Sequence, residues 1–149
     1  MQATVEMMKR HIQTRGWLDV PAQGVSMFPW IREGDICRFT YVKQLLDIQP
    51  GDVLLFHTES GHLVGHRVRK METVNQKVVF ICKGDSNLQN DAPVYEDQVI
   101  GRLAYVRKPK MVLQMDGWIA DLWKRFVNLT PHPSRILRWY LSRQAMRRE

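Results

Sequence analysis

The chain has 149 residues, of which 44% are hydrophobic and 25% are charged, and its formal net charge is +7. This length and composition predict one globular domain with a sizeable core, and they exclude a low-complexity or disordered chain. Residues 1–106 hold 12 Lys and Arg against 12 Asp and Glu, whereas residues 107–149 hold ten against three. The excess positive charge therefore lies in the C-terminal segment, which favours an acidic surface as that segment's partner.

The cysteine pattern and the N-terminal segment indicate where the protein is found. Cys37 and Cys82 lie in apolar runs without metal-ligand spacing, which predicts buried free thiols. Residues 1–15 mix charged and apolar side chains, so they do not form a secretory signal. No run approaches the roughly 20 apolar residues that a membrane-spanning helix needs. We therefore expect a cytoplasmic protein without a membrane anchor.

The predicted elements begin with a short helix over residues 3–14, where Val5, Met8 and Ile12 recur at helical spacing. A candidate strand over 17–20 leads into a turn around Ser26. Runs rich in β-branched and aromatic residues, separated by Gly, Pro and Asn turns, then predict strands over 36–42, 53–56, 62–68, 77–82 and 98–106. Short strands at this spacing predict a mainly β fold, built as a compact, coiled β barrel or sandwich.

The C-terminal segment predicts two amphipathic helices. In the first, one face is apolar and the other polar; the apolar face holds Trp118, Ile119, Leu122, Trp123, Phe126 and Val127, and the polar face holds Asp121, Lys124, Arg125 and Asn128. Pro131, His132 and Pro133 are expected to break this helix, and Ser134 to cap a second one from residue 135 to about 147. These helices could equally pack on the β domain or lie on a membrane. The chain thus divides into an N-terminal helix (1–16), a β domain (17–107) and a basic helical tail (108–149).

Ser26 has the setting of a catalytic nucleophile. It lies between Gly24, which can adopt positive φ, and Pro29, which prevents a long helix, so backbone geometry presents its hydroxyl. A serine hydroxyl reacts only when a neighbouring base takes its proton. The alternative interpretation is an ordinary turn serine.

His66 is the candidate base, because Gly65 before it allows close approach of another backbone. His62 and His66 would suit a metal on a helix, but on a strand four residues span roughly 13 Å. We therefore expect no metal site, and no cofactor. A base of this kind works best when a carboxylate orients its second ring nitrogen. Both Asp85 and Asp91 lie in a suitable loop, and their spacing does not choose between them.

These residues form an ordered set of short motifs: Gly24-x-Ser26-Met27-x-Pro29, Gly34-Asp35, Pro50-Gly51-Asp52-Val53, His66-Arg67-Val68, Lys83-Gly84-Asp85-Ser86-Asn87 running on to Asp91, and Ile100-Gly101. Over about residues 17–105 the set resembles the type I signal peptidase family. A histidine base resembles the endoplasmic-reticulum branch, whereas most bacterial members and LexA-type autoproteases use lysine. The resemblance implies Ser26 as nucleophile, His66 as base and Asp91 as the third member, supported by Gly24, Met27 and Asp85.

Three features depart from the family pattern. The chain has no membrane-spanning anchor, and the basic tail has no counterpart among the family's motifs. Endoplasmic-reticulum members also carry a serine where this chain has Gly24. The oxyanion hole is therefore expected to rest on backbone N–H groups, notably that of Ser26.

The resemblance implies a serine endopeptidase that cleaves an extended leader or signal segment with small residues next to the cut. Its partners would be that peptide or protein substrate and, through the basic tail, an anionic membrane at its inner face. One alternative is a catalytically idle peptide-binding module. Another is a LexA-type regulatory autoprotease, although the sequence has no plausible recognition helix, and no nucleic-acid partner is expected.

Overall fold

The computed structural model describes residues 2–129 and 132–147, which form three helices around a β structure. The helices are α1 (Gln2–Arg15), α2 (Trp118–Leu129) and α3 (His132–Met146). The strands are β1 (Trp17–Pro21), β2 (Ile36–Thr40), β3 (Val53–His57), β4 (Leu63–Val74), β5 (Lys77–Lys83), β6 (Val94–Tyr95), β7 (Val99–Arg107) and β8 (Val112–Gln114). None of the helices in these two ranges is both long and apolar enough to cross a membrane.

All the strands belong to one antiparallel sheet with the order β1-β2-β7-β3-β4-β5-β6, and β8 pairs with β7. The β4–β5 hairpin turns through Asn75 and Gln76, both at positive φ. Positive φ at two successive residues is the geometry of the tight turn that matches strand twist. In the β3–β4 pair, Leu54 lies opposite His66, which fixes the candidate base near the middle of the sheet.

Both faces of the sheet are covered by apolar side chains. Along β3, Val53 and Leu55 belong to one core cluster, whereas Leu54 and Phe56 belong to the other. This follows from the alternation of side chains along a strand, and it explains why β3 reads as a continuous apolar run. Ile12 of α1 is buried in the first cluster.

The structure confirms a mainly β fold, in the form of a single sheet, and it confirms that Cys37 and Cys82 are buried free thiols. Two short strands, β6 and β8, were not predicted. β4 also runs to Val74, beyond the predicted end at residue 68, because its outer half is a mostly exposed, charged hairpin without apolar alternation. Such a segment lacks the signal from which a strand is predicted.

Two expectations about the tail are wrong. Ser134 does not cap a helix: α3 begins at His132, and Ser134 is buried inside its first turn. A proline such as Pro133 is well tolerated in a first turn, where its missing N–H has no helical partner. Pro131, the other predicted helix breaker, lies outside the described residues.

The predicted polar face of α2 is also wrong, because part of it points inward. Lys124 donates from Nζ to the carbonyl of Met115 at 3.0 Å, and Asn128 donates to the carbonyl of Val68 at 3.3 Å. The buried face of α2 holds Ala120 and Val127. Of the two alternatives for the tail, packing on the β domain is therefore present, through one face of α2 and through Ser134 of α3, which accepts a hydrogen bond from Lys83.

Candidate active site

Ser26 lies in the turn-rich segment between β1 and β2, with its side chain half-buried. Gly24 has φ of +74°, a backbone conformation that side-chain-bearing residues rarely adopt. The turn is closed by a bond from the Phe28 N–H to the Val25 carbonyl at 3.0 Å, and Met27 is buried in the core beneath it. The backbone thus holds the Ser26 hydroxyl at the surface, while its neighbour anchors the turn.

The side chains of Ser26, His66 and Asp91 form one hydrogen-bonded chain. His66 Nε2 lies 2.9 Å from Ser26 Oγ, and His66 Nδ1 lies 2.6 Å from Asp91 Oδ2. The imidazole is nearly buried, and Phe56 packs edge-on to it at 6.4 Å between ring centroids. Asp91 is held next to the end of β5 because its N–H donates to the Cys82 carbonyl at 2.8 Å. The structure therefore brings together three predicted residues that are distant in sequence.

Asp85, the alternative carboxylate, has a different position. Its two oxygens accept from Arg67 Nε and Nη2, both at 2.8 Å, and Trp123 of α2 donates to Oδ2 at 2.9 Å. Both Asp85 and Arg67 are fully buried, and Arg67 also donates to the carbonyl of Gly51. Asp85 thus supports the loop and does not contact His66.

Two further residues hold the Ser26 turn, and sequence reasoning missed their roles. Ser86 is buried and donates twice, from Oγ to the Val25 carbonyl at 2.8 Å and from N–H to the Ser26 carbonyl at 2.9 Å. At Gly84, an added Cβ would lie 2.8 Å from the Ser26 carbonyl oxygen, so only glycine fits without a shift. Both residues belong to the motif around Asp85, where only the carboxylates drew attention.

The other histidines lie away from this chain of bonds. His11 and His132 are exposed on α1 and α3. His57 contacts the backbone carbonyls of Thr58 and Asp97. His62 is exposed and lies 2.8 Å from Ser60 Oγ, which makes a second Ser–His pair at the surface. Within the described ranges, no three His, Cys, Asp or Glu side chains are arranged to hold a metal ion.

A pocket of about 350 Å³ opens beside Ser26 and His66. The end of β1 and the start of β4 form its two walls. Its floor is apolar and continuous with the core, formed by Met27, Ile31, Cys37, Phe39 and Leu55. Burial raises the pKa of the Cys37 thiol to about 12, so this thiol is neutral near pH 7 and is a poor nucleophile. Of the two nucleophile types in the pocket, the Ser26 hydroxyl is the one with a base beside it.

A scan against protein-family models found no match to this chain, and a search of curated proteins found none either.

Proposed function

We propose that this chain is a serine endopeptidase of the signal-peptidase type, acting through Ser26, His66 and Asp91. The observation that carries the proposal is the continuous chain of hydrogen bonds, 2.9 Å from Ser26 Oγ to His66 Nε2 and 2.6 Å from His66 Nδ1 to Asp91 Oδ2. The same order of groups, nucleophile to base to carboxylate, recurs on unrelated peptidase folds. The resemblance of the ordered sequence motifs to the type I signal peptidase family supports the roles assigned to these three residues.

The proposed reaction has two halves. With Nδ1 protonated and donating to Asp91, His66 Nε2 accepts the Ser26 hydroxyl proton as Oγ attacks the scissile carbonyl. The imidazolium then passes this proton to the leaving amine, which leaves an acyl-enzyme on Ser26. In the second half, water gives a proton to His66 Nε2 as it attacks the ester. The imidazolium then returns this proton to Ser26 Oγ as the acyl bond breaks, which frees the new carboxyl terminus and regenerates the enzyme. The oxyanion would rest on backbone N–H groups, notably that of Ser26, because Gly24 brings no hydroxyl.

The proposed substrate is an extended peptide segment, such as a leader, that adds a strand beside the pocket. β4 pairs with β3 from Leu63 onward but with β5 only from Arg67, so on its other side the start of β4 faces the pocket. Extended peptides commonly bind by pairing with such an exposed strand edge. Because the pocket floor is apolar, uncharged side chains next to the cut are expected, in keeping with the small residues that the family resemblance implies.

The test is incubation of the purified protein with a mixed peptide library, followed by mass spectrometry of the products. Ser26→Ala and His66→Ala should each lower cleavage by at least about a thousandfold, because removing either group disables the nucleophile. The matched controls are Ser60→Ala and His62→Ala, which remove the exposed Ser–His pair and should leave cleavage unchanged.

A serine-directed phosphonate supplies a second readout, since it should label Ser26 in the parent and leave the Ser26→Ala variant unmodified. Cleavage that persists in folded Ser26→Ala would show that the proposed nucleophile is wrong. If the folded parent protein neither cleaves peptides nor is labelled by the phosphonate, the peptide-binding module is favoured instead.

A further inference from the structure

Helix α2 has an outer stripe that the packing of the tail does not use. Its inner face is buried at Ala120 and Val127. On the opposite side, Trp118, Leu122, Arg125 and Leu129 fall within about 60° of one another at 100° per residue, so they form one line along the helix. Trp118 is 73% exposed, Leu122 58% and Leu129 79%. Three large apolar side chains in one exposed line are unusual for a protein surface that contacts only water.

Helix α3 presents a similar surface. Ile136 and Trp139 are exposed, and the guanidinium of Arg143 lies 4.2 Å from the centre of the Trp139 ring. The residues of α3, HPSRILRWYLSRQAM, include three arginines and no Asp or Glu. The outer surface of both helices therefore presents large apolar groups and arginine; α2 also carries one exposed acidic residue, Asp121, whereas α3 has no acidic residue to neutralise its arginines.

We propose that the outer faces of α2 and α3 bind the surface of an anionic phospholipid membrane. Tryptophan and leucine would enter the boundary between headgroups and acyl chains, while arginine would extend to the phosphates. Helices of 12 and 15 residues are about 18 and 22 Å long at 1.5 Å per residue, which suits helices that lie in the plane of the interface. This proposal does not depend on the proposed peptidase activity.

The charge of this surface argues for lipid over a second copy of the chain. A symmetric dimer through these faces would bring like-charged surfaces together, because both copies contribute the same patch. An anionic membrane offers the opposite charge, and each basic residue near such a surface strengthens the attraction. Duplex DNA would match the charge but would leave the apolar line in water.

The experiment is co-sedimentation of the full chain with vesicles of phosphatidylcholine alone and of an equimolar mixture with phosphatidylglycerol. We expect binding to the anionic vesicles that is at least about tenfold tighter than to the neutral ones, and that weakens as salt is raised. The paired change Leu122→Ser and Leu129→Ser should lower binding at least about tenfold, because two exposed leucines no longer enter the apolar layer.

The control pair is Leu46→Ser with Leu88→Ser, two leucines outside the tail that are 77% and 61% exposed. This pair should bind vesicles as the parent does. Arg125→Gln should weaken binding about fivefold, set against Arg10→Gln on α1, which should not.

Three results would overturn the proposal. The first is equal affinity for neutral and anionic vesicles, and the second is a tail variant that binds as tightly as its control. The third is a parent protein that ignores vesicles while light scattering shows a dimer that the Leu122→Ser and Leu129→Ser changes abolish, which would assign the surface to a second copy.

Discussion

The β structure and the helical tail of this chain use charged residues in different ways. In residues 1–106, which hold α1 and most of the β structure, basic and acidic residues are equal in number, and the fully buried Arg67 and Asp85 are paired at 2.8 Å. In the tail, Arg125, Arg135 and Arg138 are exposed, and the net charge of the whole chain originates there. A charge that is buried and paired positions its neighbours, whereas exposed charges of one sign form a surface for a partner. The two regions meet where Trp123 of α2 donates to Asp85.

The largest expected effects come from substitutions of two aspartates in one loop of the β structure. Asp85→Asn should lower the free energy of unfolding by about 3–5 kcal/mol, because it leaves Arg67 buried without its counter-charge. Asp91→Asn should change that free energy far less, since Asp91 is partly exposed, but it should lower kcat/KM by roughly 10⁴ because the neutral amide no longer holds the His66 tautomer.

Urea denaturation followed by circular dichroism measures the first effect, and cleavage of a library-derived peptide measures the second. Asp19→Asn is the stability control, because its pair with Arg38 is part-exposed and its loss should cost much less than that of Asp85. A folded, stable Asp85→Asn variant would contradict the structural role of this carboxylate, and an active Asp91→Asn variant would contradict the orienting role of the other.

This pair of aspartates also shows a limit of predicting the site from the sequence. The glycine, proline and strand patterns around Ser26 and His66 made each a candidate, and in the structure their side chains lie 2.9 Å apart. Asp85 and Asp91 lie in one polar loop, and nothing local says which of them faces Arg67 and which faces His66. That choice depends on how β4 and β5 fold against each other. His66 and Arg67 are adjacent in β4, so their side chains lie on opposite sides of the strand, and each meets a different aspartate.

The tail shows a similar limit, because the sequence does not predict which side of a helix faces the core. Its helices were predicted from their spacing of apolar residues, but the apolar residues of α2 cover more than half of its circumference. With so wide an apolar surface, periodicity does not say which part faces the core. Trp123 and Val127 turn inward, whereas Trp118 and Leu122 from the same predicted face turn outward. The strands β6 and β8 are too short, at two and three residues, to carry a period at all.

A smaller effect is expected where the two regions meet. Trp123→Phe keeps the aromatic ring but removes the 2.9 Å hydrogen bond to Asp85, so the free energy of unfolding should fall by about 1.5 kcal/mol. Trp118→Phe on the outer stripe of the same helix should change it by less than about 0.5 kcal/mol. Urea denaturation of both variants gives the comparison. Equal effects from the two substitutions would mean that α2 is not fixed to the β structure through Trp123.

The smallest effect is a pH dependence at the contact between β5 and α3. Lys83 donates to Ser134 Oγ at 2.6 Å and to the Asn87 carbonyl. Burial lowers the pKa of Lys83 below its ordinary value of 10.5, and the nearby Arg69 lowers it further, whereas Asp85 acts in the opposite direction. Between the lowered pKa and 10.5 the unfolded chain binds more protons at this site, so the contribution of Lys83 to stability rises with pH.

Lys83→Met should remove this rise, which denaturation curves at a series of pH values up to 10.5 would show as a flatter dependence of stability on pH. Lys77→Met, at the exposed start of the same strand, is the control and should keep the slope of the parent. Burial raises the pKa of the Cys82 thiol from 9.0 to about 12, so this thiol lowers stability as pH rises above 9.0. Because both variants retain Cys82, the difference between their slopes isolates Lys83. Identical slopes in the two variants would mean that the pKa of Lys83 is not lowered relative to that of an exposed lysine.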